Sequence, residues 1–183
     1  MKYRNTRNTY GLVSRCLHWL MAALILTVLF IGLTWGYYPG GLRAPALIIH
    51  KSFGVLILFF LTMRIGWRVF NSPPSLPDTI GKTMKLAAHL GHLGLYAFML
   101  IMPLSGLLMV NSRGREVKLF NTISLPSLME KNREWAPILR ESHGIIAYCF
   151  LALIIVHVGA ALYHRFVLKD NVLNSMLKGT SKK

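Results

Sequence analysis

The sequence predicts an all-α membrane protein, a bundle of four transmembrane helices, on three observations. Hydrophobic residues make up 54% of the 183 and charged residues only 15%, with a mean hydropathy of +0.47, too apolar for an ordinary soluble domain. Four runs, at about 17–36, 46–69, 86–110 and 143–166, supply the roughly 20 apolar residues that a helix needs to cross a bilayer. All six acidic residues (Asp78, Glu116, Glu130, Glu134, Glu141 and Asp170) fall in the connecting segments or at run ends, so no chain of buried carboxylates is present for a proton pump or cation-coupled transporter. Without repeats or low-complexity tracts, residues 1–183 read as a single membrane domain.

The first run follows Lys2, Arg4, Arg7 and Arg15 and so has the flank of a secretory signal. It is too long for a signal core and no small-residue cleavage site follows, so it is read as a span. The second run carries Arg64 and Arg68 one turn apart near its far end, and the Pro-rich "NSPPSLPDTIGK" (71–82) stops it. The third contains "AAHLGHLGLY" and "MPLSG"; Pro103 predicts a kink whose freed carbonyl is met by Ser105 or a neighbour. The 111–142 loop holds "EKNREWAP", which predicts a short interfacial helix, and the fourth run is "HGIIAYCFLALIIVH" with its continuation. Cys16 and Cys149, on different spans and in no paired motif, read as packing residues, and no C-x-x-C-H occurs for covalent haem attachment.

Orientation follows from the basic residues. The N-terminus, the 69–86 linker with its flanks and the C-terminus hold thirteen Lys and Arg, among them Lys82, Lys85, Arg165, Lys169, Lys178, Lys182 and Lys183; the other side holds eight. Both termini are therefore expected in the cytoplasm. The net charge of +15 does not point to nucleic acid, because the cations are spread over both faces with no aromatic-interleaved basic domain. Anionic lipid and small anions fit better.

The histidines sort by depth. His143 and His157 stand fourteen residues apart, almost four turns, so they share a helix face about 21 Å apart along the axis. His50 opens the second run on the side of His143, and His18 opens the first on the side of His157. Two imidazoles per layer, from different helices, is what bis-histidine haem ligation requires, one porphyrin being clamped from opposite faces. Interfacial hydrogen bonding is the plainer reading of any one histidine at a helix end. Zinc is a rival ligand, though it favours tight clusters with cysteine or carboxylate. Arg64 and Arg68 offer guanidinium groups to haem propionates, with snorkelling to the headgroups as the alternative. Ala22, Gly54, Gly144 and Ala160 leave gaps for a flat macrocycle or for plain helix contact. His89, His92 and His164 cluster near the inner layer, where they could meet propionates, line a quinone pocket or shuttle protons, or simply hydrogen-bond at the interface.

Several segments together resemble the bacterial cytochrome b561 family: "RCLHWLMA" (15–22), "HKSFG" (50–54), "MRIGWR" (63–68), "AHLGHLGLY" (88–96), "MPLSG" (102–106), the pair His143 and His157 with "ALYHRF" (161–166), and "KDNVL" (169–173). The resemblance covers nearly the whole chain. It implies a bundle enclosing two b-type haems in the bacterial inner membrane, with His18, His50, His143 and His157 as axial ligands. Small stand-alone members act as superoxide oxidases, which implies an enzyme passing electrons from periplasmic superoxide to ubiquinone. Lys51, Arg113 and Arg115, with Arg43 and Arg140, are the cations expected to draw superoxide to the outer haem. The alternative is a cytochrome b subunit linking a partner dehydrogenase or hydrogenase to the quinone pool; a haem-binding sensor is a third class. Arg165 departs from the second histidine common at that position in relatives.

Overall fold

The computed structural model describes residues 3–75 and 80–178. Lys2, Asp78, Lys182 and Lys183, used above for charge, lie outside the described residues. In chain order the elements are α1 (Leu12–Leu33), a 3-10 turn (Trp35–Tyr37), α2 (Gly40–Phe70), α3 (Lys82–Asn111), a two-stranded hairpin β1 (Lys118–Leu119) and β2 (Ile123–Ser124), α4 (Trp135–Phe166) and the short α5 (Val172–Leu177). Four of these helices are long and apolar enough to cross a membrane.

The apolar runs mark only the hydrocarbon-facing part of each helix. α2, α3 and α4 have 31, 30 and 32 residues, about 45 Å or more at 1.5 Å per residue, and so project beyond a hydrocarbon core of roughly 30 Å. α1, with 22 residues, barely spans it. The expected separate helix at "EKNREWAP" is absent: from Trp135 onward this stretch is the start of α4 itself. Pro137 is tolerated there because a first-turn residue has no intrahelical N–H bond to lose. Asn132 Oδ1 accepts the N–H groups of Glu134 (3.0 Å) and Trp135 (3.2 Å), which satisfies donors at that end.

α1 lies along α2, α3 along α4, and α2 joins the two pairs through α3. α4 approaches α1 and α2 only marginally, so a seam runs through the bundle between α4 and the α1/α2 pair. The core around it is Met21, Leu24, Ile25 and Leu29 of α1, Ile57 and Leu61 of α2, Met99 of α3 and Phe150 of α4. Phe98 stacks on Phe150 at 5.4 Å with planes 13° apart. Most other large apolar side chains face outward, as expected where lipid is the solvent. Cys16 and Cys149 are among the exposed residues, which corrects the expectation that they pack inside.

Each end of the bundle has its own fastening. On the side of the termini, Asn5 donates to the carbonyls of Asn71 and Ser72 (both 3.1 Å) and accepts from Gly11 N and Ser14 Oγ. Trp67 Nε1 donates to Ser14 Oγ at 2.9 Å, tying α2 to α1. Gly11 is required here, since a Cβ would stand 2.3 Å from Tyr3 O. On the loop side, buried Asn111 accepts from Leu128 N and donates to Arg115 O, and Ser112 O accepts from Asn132 N. The hairpin folds back onto α2: Phe120 N donates to Oγ of fully buried Ser52 at 2.8 Å, and the Phe120 ring meets Phe53 edge-on. Phe120 and Asn121 hold φ of 46° and 59°, a left-handed turn that costs non-glycine residues energy.

Candidate functional site

Four half-buried histidines face the seam in two pairs. On the loop side, His50 of α2 and His143 of α4 have ring centroids 6.3 Å apart with planes at 73°. On the side of the termini, His18 of α1 and His157 of α4 are also 6.3 Å apart, with planes at 62°. A metal–imidazole bond of about 2.0 Å plus roughly 1.1 Å from ring nitrogen to ring centre puts two imidazoles trans on one metal about 6.2 Å apart. Both pairs have that spacing, and each bridges two helices that hardly touch. Among the described residues no group of three or more His, Cys, Asp or Glu could hold a metal ion. A metal gripped by two protein ligands needs its remaining positions filled by another ligand, which is what a porphyrin supplies.

The loop-side pair is oriented from behind. His50 Nδ1 lies 3.0 Å from Val28 O; a carbonyl only accepts, so Nδ1 carries the proton and Nε2 keeps its lone pair for a metal. Ser105 Oγ donates to Met102 O at 2.8 Å and stands 2.8 Å from His143 Nδ1. With its proton committed, the hydroxyl accepts from Nδ1, and His143 likewise presents Nε2. Ser105 therefore serves Met102 and His143 beside Pro103. Two glycines admit the rings: a Cβ on Gly32 of α1 would stand 3.2 Å from His50 Cε1, and one on Gly106 of α3 would stand 3.1 Å from His143 Cε1. Gly54 meets nothing within 4 Å, which leaves open space of the kind a flat macrocycle needs, whereas Gly144 opens onto a separate groove lined by Arg113, Arg140 and Tyr148.

The pair near the termini is wired differently. Arg64 Nη2 lies 3.2 Å from His18 Nδ1 and Arg64 Nε donates to Tyr96 Oη at 3.1 Å. A guanidinium only donates, so in this arrangement His18 Nδ1 accepts, and presenting Nε2 to a metal requires the Nδ1 proton to return and Arg64 to turn aside. Arg64 and Arg68 both lie over the Tyr96 ring, at 5.6 and 5.5 Å. Nearby, burial pushes the Tyr10 hydroxyl above its usual range while Arg68 and Arg64 pull it down. Arg15, one turn before His18, has an Nε shut off from solvent with no partner. Two guanidiniums, Arg64 and Arg68, thus converge over Tyr96 beside this pair with no ion-pair partner among the described residues, a cradle that suits a ligand bearing carboxylates.

His92 reaches the inner pair, its ring 5.6 Å from that of His157, short of the trans spacing. His89 is exposed. His164, two turns beyond His157, is bonded through Nδ1 to Asp170 Oδ2 at 2.5 Å, and Arg165 Nη1 to Asn174 Oδ1 at 2.5 Å. These contacts hold α5 against α4, and Trp19 Nε1 reaches Met176 O at 3.3 Å, closing the seam from the α1 side. Phe150 lies seven residues from both His143 and His157 and is 3% exposed, a buried ring midway between the layers. The cations assigned to superoxide are divided: Lys51 follows His50 on α2, Arg113 faces α4, and Arg115 lines a separate cleft with Glu116, Glu130 and Lys131. The sequence assigned no site role to Gly32, Gly106, Arg15, Tyr96 or Asp170, since each role depends on a neighbour that only the fold supplies.

The prokaryotic cytochrome b561 family matches residues 9–179. Cytochrome b561 homolog 2 of Escherichia coli K12 is 32% identical over 99% of this chain and 97% of its own. The Probable superoxide oxidase CybB of Yersinia pestis is 29% identical over 92% of this chain and 95% of its own, and cytochrome b561 homolog 1 of E. coli K12 is 28% identical over 93% and 97%. The chain belongs to the prokaryotic cytochrome b561 family, and is a multi-pass membrane electron-transfer protein of the kind that binds b-type haem.

Proposed function

We propose that residues 1–183 form one membrane cytochrome domain that holds two b-type haems and oxidises superoxide while reducing ubiquinone. The observation that carries the reading is the repeated 6.3 Å spacing of His50 with His143 and of His18 with His157 across the seam. His50 with His143, and His18 with His157, would hold the two haem irons. Arg64, Arg68 and Arg15 are proposed to take propionates at the inner site, Arg64 leaving His18 to do so. Bound haem iron supplies a reversible one-electron couple. The overall balance is two superoxide anions and one ubiquinone, with two protons, giving two dioxygen molecules and one ubiquinol.

The chain's own groups frame that balance. Lys51 beside His50, and Arg113 and Arg115 in the loop, raise the local concentration of an anion without holding it, which suits a substrate that must leave as neutral dioxygen. On the side of the termini, His164 backed by Asp170 is placed to deliver protons to a quinone dissolved in the bilayer, and His92 adds an imidazole next to His157. The thirteen-to-eight division of basic residues supports an orientation with both termini in the bacterial cytoplasm and the loop in the periplasm. The resemblance to a relative named as a probable superoxide oxidase supports the same donor.

Stopped-flow haem reduction with a superoxide source, using the purified chain alone, tests the reading. Reduction within milliseconds, reoxidation by a ubiquinone analogue and loss of the signal with superoxide dismutase are expected. Reduction that persists with the dismutase rules out superoxide. Co-purification with a peripheral subunit, joined to sluggish reaction with superoxide, would instead assign a dehydrogenase anchor.

A further inference from the structure

A second concavity, of about 650 Å³, lies on the loop side between the turn after α3 and the first turns of α4. That volume is ample for a small amphiphile. None of the histidines lines it, so it is not the seam. α4 contributes Pro137, Arg140, Glu141, Gly144, Ile145 and Tyr148, and Arg113 closes it from the α3 side. Spacings of three and four residues put the α4 set on one stripe of the helix.

The lining changes character along the helix axis. Arg113, Arg140 and Glu141 cluster at one end, and Ile145 and Tyr148, 58% and 66% exposed, form the other. Glu141 to Tyr148 is seven residues, about 10 Å of rise toward the middle of the bilayer. Gly144 leaves the passage between the two ends open, as a Cβ there would meet nothing within 4 Å. Neither guanidinium, nor Glu141, is in an ion pair among the described residues. A polar rim of two cations and one anion thus stands above an apolar wall that runs down the helix.

We propose that this groove binds one phospholipid whose headgroup carries both a phosphodiester and a primary ammonium, as in phosphatidylethanolamine. Arg113 and Arg140 take the phosphate and Glu141 accepts from the ammonium, so all three charges are matched. The glycerol passes over Gly144 and an acyl chain lies on Ile145 and Tyr148. Inorganic phosphate would leave the apolar wall bare, and quinone would leave the guanidiniums unmatched. A choline headgroup has the same charges but no N–H to give Glu141, and a glycerol headgroup has no cation. The proposal is independent of the haem and superoxide reading, except that a phosphate on Arg113 and Arg140 leaves Lys51, Arg115 and Arg43, of the five cations assigned to superoxide, to draw that anion.

The experiment is native mass spectrometry of the purified holoprotein, incubated with an equimolar mixture of phosphatidylethanolamine, phosphatidylcholine and phosphatidylglycerol of identical acyl chains. Phosphatidylethanolamine adducts should exceed either of the others by about tenfold, the worth of one charge-assisted hydrogen bond. Glu141→Gln should bring the ethanolamine-to-choline ratio toward one, and Arg113→Gln with Arg140→Gln should abolish the adduct while the haem spectrum is retained. Equal binding of ethanolamine and choline lipids by the unaltered protein overturns the proposal, and needs no variant to fold. Adducts that survive in the double arginine variant overturn it as well.

Discussion

Ser105 Oγ stands 2.8 Å from His143 Nδ1 while donating its own proton to Met102 O, so one hydroxyl on α3 sets which nitrogen of a histidine on α4 faces the seam. Partners of this kind set ligand orientation, and their loss typically costs 10–100-fold in metal affinity. Ser105→Ala is therefore expected to leave the chain folded but to weaken haem at the loop-side site by about that factor. Haem per chain by pyridine haemochrome, measured after dilution into apomyoglobin as a haem sink, checks it. Unchanged haem retention would separate His143 from iron ligation.

Gly106 provides a second handle on the same ring. A Cβ there would sit 3.1 Å from His143 Cε1, closer than ordinary contact, so Gly106→Ala should tilt the imidazole and Gly106→Val should displace it. The expected result is a shifted low-spin electron paramagnetic resonance signal for alanine and one haem per chain for valine. Gly32→Val should act alike through His50. Variants with both haem signals unaltered would place the macrocycle elsewhere.

Ser52 and Phe120, 68 residues apart, fasten the hairpin over the loop-side end of α2. Ser52→Ala leaves the Phe120 N–H without its acceptor and the left-handed pair Phe120 and Asn121 without its tether. A loss of about 1–2 kcal/mol follows from the unsatisfied donor. Hydrogen exchange should rise at 118–124 before it rises in the spans. If 118–124 exchange no faster in the variant, the latch contributes nothing to holding the hairpin.

How much of this was legible beforehand depends on what each residue needs for its role. The four spans were, because twenty apolar residues leave water no other use for a helix. Their ends were not: beyond the hydrocarbon the backbone can be satisfied by water or by the helix, and α4 simply runs on through Arg140 and Glu141 to Trp135. His18, His50, His143 and His157 stood out because an imidazole is conspicuous in an apolar run and because helical rise converts sequence distance to depth. Gly32 and Gly106 did not, since a small residue in a membrane helix means nothing until the ring opposite is known. Glu141 and Arg140 read as loop charges, and only the helical stripe brings them beside Arg113.

The pairing of His164 with Asp170 gives the sharpest test of quinone chemistry. His164 Nδ1 is committed to Asp170 Oδ2, and Asp170 Oδ1 accepts from Val172 N at 3.0 Å, so the carboxylate is fixed from the start of α5 and the ring is fixed by the carboxylate. That leaves Nε2 as the nitrogen able to exchange a proton with a bound quinone. Asp170→Asn keeps an oxygen for the Nδ1 bond but removes the carboxylate's charge and fixes the ring less firmly. It should slow haem reoxidation by a ubiquinone analogue by about tenfold or more, as for other general acid–base groups, with haem reduction by superoxide unchanged because the site proposed for it is on the other side. His164→Gln should slow reoxidation at least as much, and the double variant should add little, since the two act as a unit. Stopped-flow traces with each half-reaction followed separately decide the matter. Equal slowing of both halves would mean that the substitutions disturb the α4–α5 fastening, and unaltered reoxidation in all three variants would remove His164 from the quinone's path.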